Sequence, residues 1–236
     1  MLINGDCYDE LLKLGKNSID LILIDPPYNI SRSSGFTRMG ENTNRVLQVK
    51  YNMSIDFGEW DKEELNWDLL FAEFFRILKK GGSLIIFYDI WKAHELKEAA
   101  STLKFKQPRV GSWVKNNPVP INSSNNYLSN AVEYFFTFVK SGKPTFNSKY
   151  DNGIYHFPLC HGRERLNHPT QKPLGLIKEL ILKHSNPGDL VLDCFSGSGT
   201  TAHAAIETDR KFIAIEKETI YYNISKIRID DLNKSQ

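Results

Sequence analysis

Four consecutive residues, Asp25-Pro26-Pro27-Tyr28, carry the most specific chemical signature in the chain. They follow the apolar run Ile19-Asp20-Leu21-Ile22-Leu23-Ile24, which reads as a buried parallel strand. The two prolines fix φ and remove two backbone donors, so the strand ladder ends there. This predicts a fixed carboxylate, unpaired carbonyls and an aromatic ring at the carboxyl edge of a sheet, where open α/β sheets bind ligands. The exocyclic amine of a nucleobase is a poor nucleophile, because its lone pair is spread into the ring. Asp25 accepting one N–H, and the Pro26 carbonyl the other, would favour a pyramidal nitrogen with a localised lone pair. Tyr28 could stack on the base face, worth about 1–3 kcal/mol. D-P-P-Y alone is also how an ordinary Asp-Pro turn leaves a strand, so the remaining chain has to decide.

A second constellation is Asp193-Cys194-Phe195-Ser196-Gly197-Ser198-Gly199-Thr200-Thr201, between a predicted strand and a predicted helix. Its glycines allow a tight turn and close approach of a ligand to the backbone. The helix start offers unpaired N–H groups to an anion. Glu216 lies 17 residues beyond Gly199, at the tip of the next strand, where an acid can hold both ribose hydroxyls. The stretch also matches the G-x-G-x-x-A turn of dinucleotide sites, which leaves a NAD-dependent oxidoreductase as a distant reading. Asp193, however, puts negative charge where a pyrophosphate would sit and suits a cationic amine instead. His168-Pro169-Thr170-Gln171-Lys172-Pro173 lies just upstream, with Lys172 available to a carboxylate. An amino-acid end, a ribose and an adenine together describe S-adenosylmethionine, with S-adenosylhomocysteine as its product. Its sulfonium methyl needs a nucleophile nearby, and D-P-P-Y supplies the means to make one.

Strands alternating with helices are needed to hold these pieces. Met1 to Asp6, Ile19 to Ile24, Ser83 to Tyr88, Val110 to Val114, Val132 to Val139, Leu190 to Asp193 and Lys211 to Ile215 read as strands. A short helix after Asp6 should turn Leu11, Leu12 and Leu14 inward. Asp61 to Leu78 should present Leu65, Leu69, Phe71, Phe75 and Leu78 on one face, capped by Gly81-Gly82. Trp91 to Leu103, Pro173 to His184, Thr200 to Thr208 and Thr219 to Leu232 complete the helices. The predicted fold class is α/β, a doubly wound, mostly parallel sheet in a single domain spanning 1–236. Residues 29–60, polar and without periodicity, are expected to form a long functional or mobile loop, and 141–167 an inserted segment.

With 236 residues, 41% hydrophobic, the chain can bury a full core, and no apolar run approaches a membrane span. Three scattered cysteines provide neither a disulfide framework nor a metal site, so a cytoplasmic protein without metal is expected. Charge is uneven. Residues 104–172 hold ten Lys and Arg against Glu133, Asp151 and Glu164, and Arg32, Arg38, Arg45 and Lys50 face only Glu41 in 29–53. Two basic segments on an acidic body point to a polyanion on one face. Arg32, Arg38, Arg45, Lys50, Lys115, Asn117, Lys149, Arg163 and Arg165 are the candidate contacts.

G-D-C at 5–7, D-P-P-Y at 25–28, H-P-T-Q-K-P at 168–173 and D-C-F-S-G-S-G-T-T at 193–201, in that order, resemble the β-group amino-methyltransferases of DNA. Ile55-Asp56-Phe57-Gly58-Glu59-Trp60 and Lys115-Asn116-Asn117-Pro118 more loosely resemble the adenine methyltransferases of type IIS restriction systems. The resemblance implies that Asp25, Pro26, Pro27 and Tyr28 hold a flipped base. It counts Asp25 among the cofactor contacts as well, and places Asp6 and Cys7 beside the cofactor adenine, Phe195 on that ring and Glu216 on the ribose. Asp193, Gly197, Ser198, Gly199 and Thr200 would surround the methionine part, with His168, Thr170 and Lys172 across from them. Cys194 stands where the family often has proline. The implied activity is N6-adenine methylation of a short duplex DNA site, with N4-cytosine methylation the nearest alternative. The implied partners are double-stranded DNA and a cognate restriction endonuclease, for a chain acting as monomer or homodimer. The family's circular permutation would make the Met1 strand continue spatially from the last helix, with both termini close together. The resemblance also makes 29–60 a mobile DNA-facing loop and 141–167 a target-recognition segment.

Overall fold

The computed structural model describes residues 1–27, 65–118, 130–166 and 170–235. The expected loop at 29–60, with Tyr28, Arg32, Arg38, Arg45 and Lys50, and also His168, lie outside the described residues. Met1–Pro26 and Asn66–Gln236 form one compact unit.

Its centre is an eight-stranded sheet in the order β1-β8-β7-β2-β3-β5-β4-β6. The strands are β1 (Leu2–Asn4), β2 (Ile19–Ile24), β3 (Leu78–Phe87), β4 (Phe105–Lys115), β5 (Val132–Lys140), β6 (Ile154–Phe157), β7 (Leu190–Asp193) and β8 (Lys211–Glu216). Only β5 runs against the others in this sheet. The helices are α1 (Cys7–Leu12), α2 (Trp67–Ile77), α3 (Ala93–Thr102), α4 (Leu174–His184), α5 (Thr200–Glu207) and α6 (Thr219–Ser235). Successive strand residues point to opposite faces. Leu21, Ile22, Leu23 and Ile24 are all at most 1% exposed, so both faces of β2 are covered, as in a doubly wound sheet.

Chain order makes the ligand crevice. From β2 the chain steps to neighbouring β3, whereas from β7 it steps the other way to β8. The carboxyl ends of adjacent β2 and β7 therefore flank a topological switch point, the place where such sheets bind ligands. β1 pairs in parallel with β8, Asn4 opposite Glu216, which brings the first strand beside the last as the permuted order requires.

Several local expectations need correction. In α1, Leu11 is buried but Leu12 is 67% exposed. The buried face of α2 is Trp67, Leu70, Phe71, Phe74 and Ile77, whereas Leu69 points outward. Apolar residues surround most of α2, so periodicity leaves its rotation open and packing decides it. Phe71 meets Phe138 and Phe105 edge-on, with centroids 5.4 and 5.6 Å apart. Gly81-Gly82 does not cap α2. The chain passes directly into β3, and the glycines form an irregularity where β2 and β3 change register. Gly81 has φ 84°, and a Cβ there would collide with the Lys143 carbonyl. The segment expected as an insertion contributes β6, which pairs with β4 at the sheet edge.

Candidate active site

Four strand ends converge on one edge. β1 leads into Gly5-Asp6-Cys7, β8 ends at Glu216, β7 at Asp193, and β2 is followed by Asp25. The first two are stitched together. Gly5 N donates to the Glu216 carbonyl at 3.0 Å, and Asn4 Nδ2 donates to the carbonyls of Glu216 and Lys217 at 2.9 and 3.1 Å. Asp6 starts α1, accepting from Tyr8 N at 2.9 Å, with Lys217 Nζ 3.3 Å away. Cys7 is buried, and burial pushes its thiol up to about 12, so it is no nucleophile at neutral pH.

The glycine turn between β7 and α5 is tied to β8. Ser196 N donates to the Ile215 carbonyl at 2.9 Å and Gly197 N to Glu216 Oε2 at 2.7 Å. The other oxygen, Glu216 Oε1, accepts from Glu218 N at 2.9 Å. These bonds fix the carboxylate and leave each oxygen a further lone pair for hydroxyl donors. Burial holds the Glu216 carboxyl above its ordinary range despite hydrogen bonds from the Glu218, Gly197 and Lys217 amides. Gly199 has φ 77°, and a Cβ on it would collide with Ser225 Oγ. Glycine is thus required both by the turn and by the close approach of α6.

Asp193 is buried at the base of this turn and accepts from Phe195 N at 3.0 Å. Burial pushes its carboxyl up to about 7. Hydrogen bonds from Thr201 and the Phe195 amide oppose this, and the charges of Asp25 and Glu216 add to it. Ser196 Oγ is buried without a hydrogen-bond partner in the same turn. Thr200 and Ser198 are held from behind by Arg228 of α6, whose Nη1 donates to Thr200 Oγ1 at 2.9 Å and to the Ser198 carbonyl at 3.2 Å. The sequence does not single out Arg228, because α6 reads as an ordinary surface helix.

Asp25 is partly buried, and its Oδ2 lies 2.5 Å from Lys172 Nζ. Lys172 is 6% exposed and also lies 3.3 Å from Glu133 Oε2 on β5. Glu133 Oε1 in turn lies 2.8 Å from Lys115 Nζ at the end of β4. Burial alone would lower the Lys172 ammonium, but Asp25 and Glu133 outweigh it and hold the group above its ordinary value. Burial would raise Glu133, but Lys172 and Lys115 hold it below the usual carboxylate range. The structure thus places Lys172 on the D-P-P-Y carboxylate. Lys115, expected at DNA, is drawn into the same array. Asn117 accepts from Leu159 N at 2.7 Å and steadies the neighbouring loop. Lys149 and Arg165 are exposed.

The rest of the 168–173 motif is framework among the described residues. Gln171 is buried. It accepts from Leu166 N at 3.0 Å and donates to the Glu164 carbonyl at 2.8 Å. Glu164 Oε1 accepts from Leu174 N at 2.7 Å at the start of α4. Thr170 sits partly exposed beside this pin.

Comparison with known proteins bears on this edge. The DNA methylase family profile, named for N6 and N4 methyltransferases, matches residues 19–227, from β2 into α6. This chain belongs to the DNA methylase family. Type II methyltransferase M2.MboI of Moraxella bovis is 32% identical over 98% of this chain and 88% of its own length. DNA adenine methyltransferase YhdJ of Escherichia coli is 33% identical over 97% of this chain and 82% of its own. Among solved structures, the M1.HpyAVI–SAM complex superposes with a TM-score of 0.72 at 26% identity, over 98% of both chains. PvuII DNA methyltransferase (cytosine-N4-specific) superposes with a TM-score of 0.74 over 97% of this chain and 85% of that one; its 20% identity speaks for the shared fold. As a DNA methylase the chain is an enzyme acting on DNA, and its mostly parallel sheet is that of the methyltransferase fold.

Proposed function

We propose that this DNA methylase transfers the methyl group of S-adenosylmethionine to N6 of adenine within a short duplex sequence, as the modification enzyme of a restriction-modification system. The observation that carries the reading is the adjacency of Asp25 and Asp193 at the ends of neighbouring β2 and β7, with Glu216 and Asp6 one and two strands further along. The name of YhdJ favours adenine over N4 of cytosine, which would use the same nitrogen chemistry.

The residues present suit S-adenosylmethionine. Glu216 offers fixed, partly satisfied oxygens to a ribose diol, and the orphaned Ser196 hydroxyl waits in the same turn. Asp193, buried and repelled by two other carboxylates, is suited to a cationic amine. Phe195, Gly197, Ser198, Gly199 and Thr200 complete that side, with Asp6 and Cys7 toward the adenine. When bound, the cofactor supplies an electrophilic methyl group on a sulfonium centre. Asp25 accepts one N–H of the target amine and the Pro26 carbonyl the other, which localises the nitrogen lone pair. As acceptor for that amine, Asp25 would also take up the proton that the methylated nitrogen sheds.

The exocyclic nitrogen of a stacked, paired base is out of reach, so the adenine is extruded into the crevice, at a cost of a few kcal/mol. Single-molecule sequencing of plasmid DNA from a methylation-free host expressing this chain tests the reading. N6-methyladenine at one short motif is the expected result. Only N4-methylcytosine would move the specificity, and unmodified DNA would sink the proposal.

A further inference from the structure

Asp25, Lys172, Glu133 and Lys115 form a line of alternating charge with contacts of 2.5, 3.3 and 2.8 Å. It joins β2, the stretch before α4, β5 and β4, so the four residues come from four separate places in the chain. Aromatic rings border both cations: Phe87 lies 5.2 Å from Lys172 Nζ and Trp113 5.4 Å from Lys115 Nζ. Side chains of Lys172 and Lys115 are only 6% and 10% exposed, against 22% and 26% for Asp25 and Glu133, so water screens the ammonium ends weakly and reaches the carboxylates in part. A charge within the apolar strand Val132-Glu133-Tyr134-Phe135-Phe136 is costly unless it is paired. If Lys172 served only to neutralise Asp25, Glu133 would be superfluous.

Resting on the function proposed above, we propose that Glu133 is a positioning residue for the methyl-transfer step, acting through Lys172 and itself held by Lys115. Lys172 donates a hydrogen bond to Asp25, while Glu133 Oε2, buried and without a hydrogen bond, meets the ammonium through charge alone. An ammonium balanced by a second carboxylate draws less electron density from the first than one held by a single partner. Glu133 therefore takes up part of the Lys172 charge, and Asp25 keeps its strength as acceptor for the target amine. Lys115 balances Glu133 so that the shared ammonium is not pulled off Asp25 altogether. The array sets the orientation and acceptor strength of Asp25, while the cofactor contacts at β7 and β8 lie outside it.

The variants Glu133→Gln, Glu133→Asp and Lys115→Met test this, alone and as the Glu133→Gln/Lys115→Met double. Glu133→Gln is expected to lower kcat about tenfold, a transition-state loss. KM for DNA and calorimetric affinity for S-adenosylmethionine should stay within about twofold of wild type. Glu133→Asp should recover most of the lost kcat. Lys115→Met should lower kcat less, and the double variant should be no worse than Glu133→Gln, since Lys115 acts through Glu133. In the cofactor-free protein, the Lys172 ammonium should give a slowly exchanging 15N signal whose chemical shift moves in Glu133→Gln, and an unmoved signal overturns the proposal. Wild-type kcat in Glu133→Gln, a loss confined to KM, or additive losses in the double variant would each overturn the proposal. If Glu133→Gln does not fold, the Lys115→Met series alone decides, and an unchanged kcat there overturns it. A wild-type chain that methylates no DNA would instead sink the functional reading beneath it.

Discussion

Asp193→Asn separates what the crevice does for stability from what it does for binding. Asp193 is 5% exposed, and burial moves its carboxyl from its ordinary 3.8 to about 7. Between those values the folded protein keeps a proton that the unfolded chain has lost. The group's contribution is therefore most favourable below the unfolded pKa and is lost as pH rises toward 7. A shift of about 3 units corresponds to about 4 kcal/mol. Asparagine removes that charge and keeps an acceptor for the Phe195 amide. The rise to about 7 already includes the opposing bonds from Thr201 and the Phe195 amide. The variant should therefore be more stable than wild type by about 4 kcal/mol at pH 8, with little difference at pH 4. Binding should move the opposite way. Loss of a charge-assisted bond to the cofactor amine costs about 1.5–3 kcal/mol, or roughly ten- to 150-fold in affinity. Urea denaturation at the two pH values and titration calorimetry with S-adenosylmethionine measure both. A variant no more stable than wild type at pH 8, or one that binds as tightly, would refute the reasoning.

Asp25→Ala should abolish methylation while leaving cofactor affinity near wild type, and should lower the melting temperature because the buried Lys172 ammonium loses its 2.5 Å partner; retained turnover in a filter-binding methylation assay would remove Asp25 from the chemistry. Glu216→Ala should weaken cofactor binding by about 1.5–3 kcal/mol for each ribose hydrogen bond removed, with calorimetry as the check. Gly199→Ala should destabilise by about 2–4 kcal/mol, combining a left-handed φ with overpacking against Ser225; Ser225→Ala in that background should return part of the loss in urea titrations. Replacing exposed Lys149 and Arg165 by Ser should reduce the slope of log affinity for DNA against log salt by about 1 for each phosphate no longer neutralised, and an unchanged slope would take these residues off the backbone.

What could be read directly in the sequence was what periodicity and punctuation encode. Ile19–Ile24 is an unbroken apolar run ended by prolines, and it is β2. The glycine turn between β7 and α5 announced itself by composition. The four residues of β6 did not, because an edge strand that alternates exposed Ile154 with buried Tyr155 is too short to show a period. Gly81-Gly82 resembled a helix stop because glycine marks turns of several kinds. Only the close approach of the Lys143 carbonyl and the register change against β2 show a strand irregularity. Among site residues, Lys172 was visible but not its partner. A lysine between Gln and Pro can reach a carboxylate of the ligand or of the protein, and only the fold brings Asp25, 147 positions away in sequence, to 2.5 Å. Glu133 did leave a signal, a lone acid inside an aromatic strand.

The balance of charge at the sheet edge bears on what can enter it. Asp6, Asp25, Asp193 and Glu216 line the ends of adjoining strands, where Lys172 and Lys217 are the ammonium groups in contact with them among the described residues. Lys172 offsets Asp25 and Lys217 offsets Asp6, which leaves Glu216 and, above about pH 7, Asp193; at about 6 Å and an effective dielectric of about 20, each of these would repel a phosphate by about 3 kcal/mol. The same field attracts an ammonium or a sulfonium and is nearly indifferent to a neutral heterocycle. The crevice therefore favours the charge type of S-adenosylmethionine and admits a base, while its own acids keep a phosphodiester at a distance. The anionic backbone of DNA has to be held elsewhere, and exposed Lys149 and Arg165 lie in the basic stretch that could hold it. A nucleotide whose phosphate stays on basic ground while its base reaches Asp25 has left the duplex stack. The base extrusion proposed above accords with the charge of the crevice as well as with the burial of the exocyclic nitrogen in a base pair.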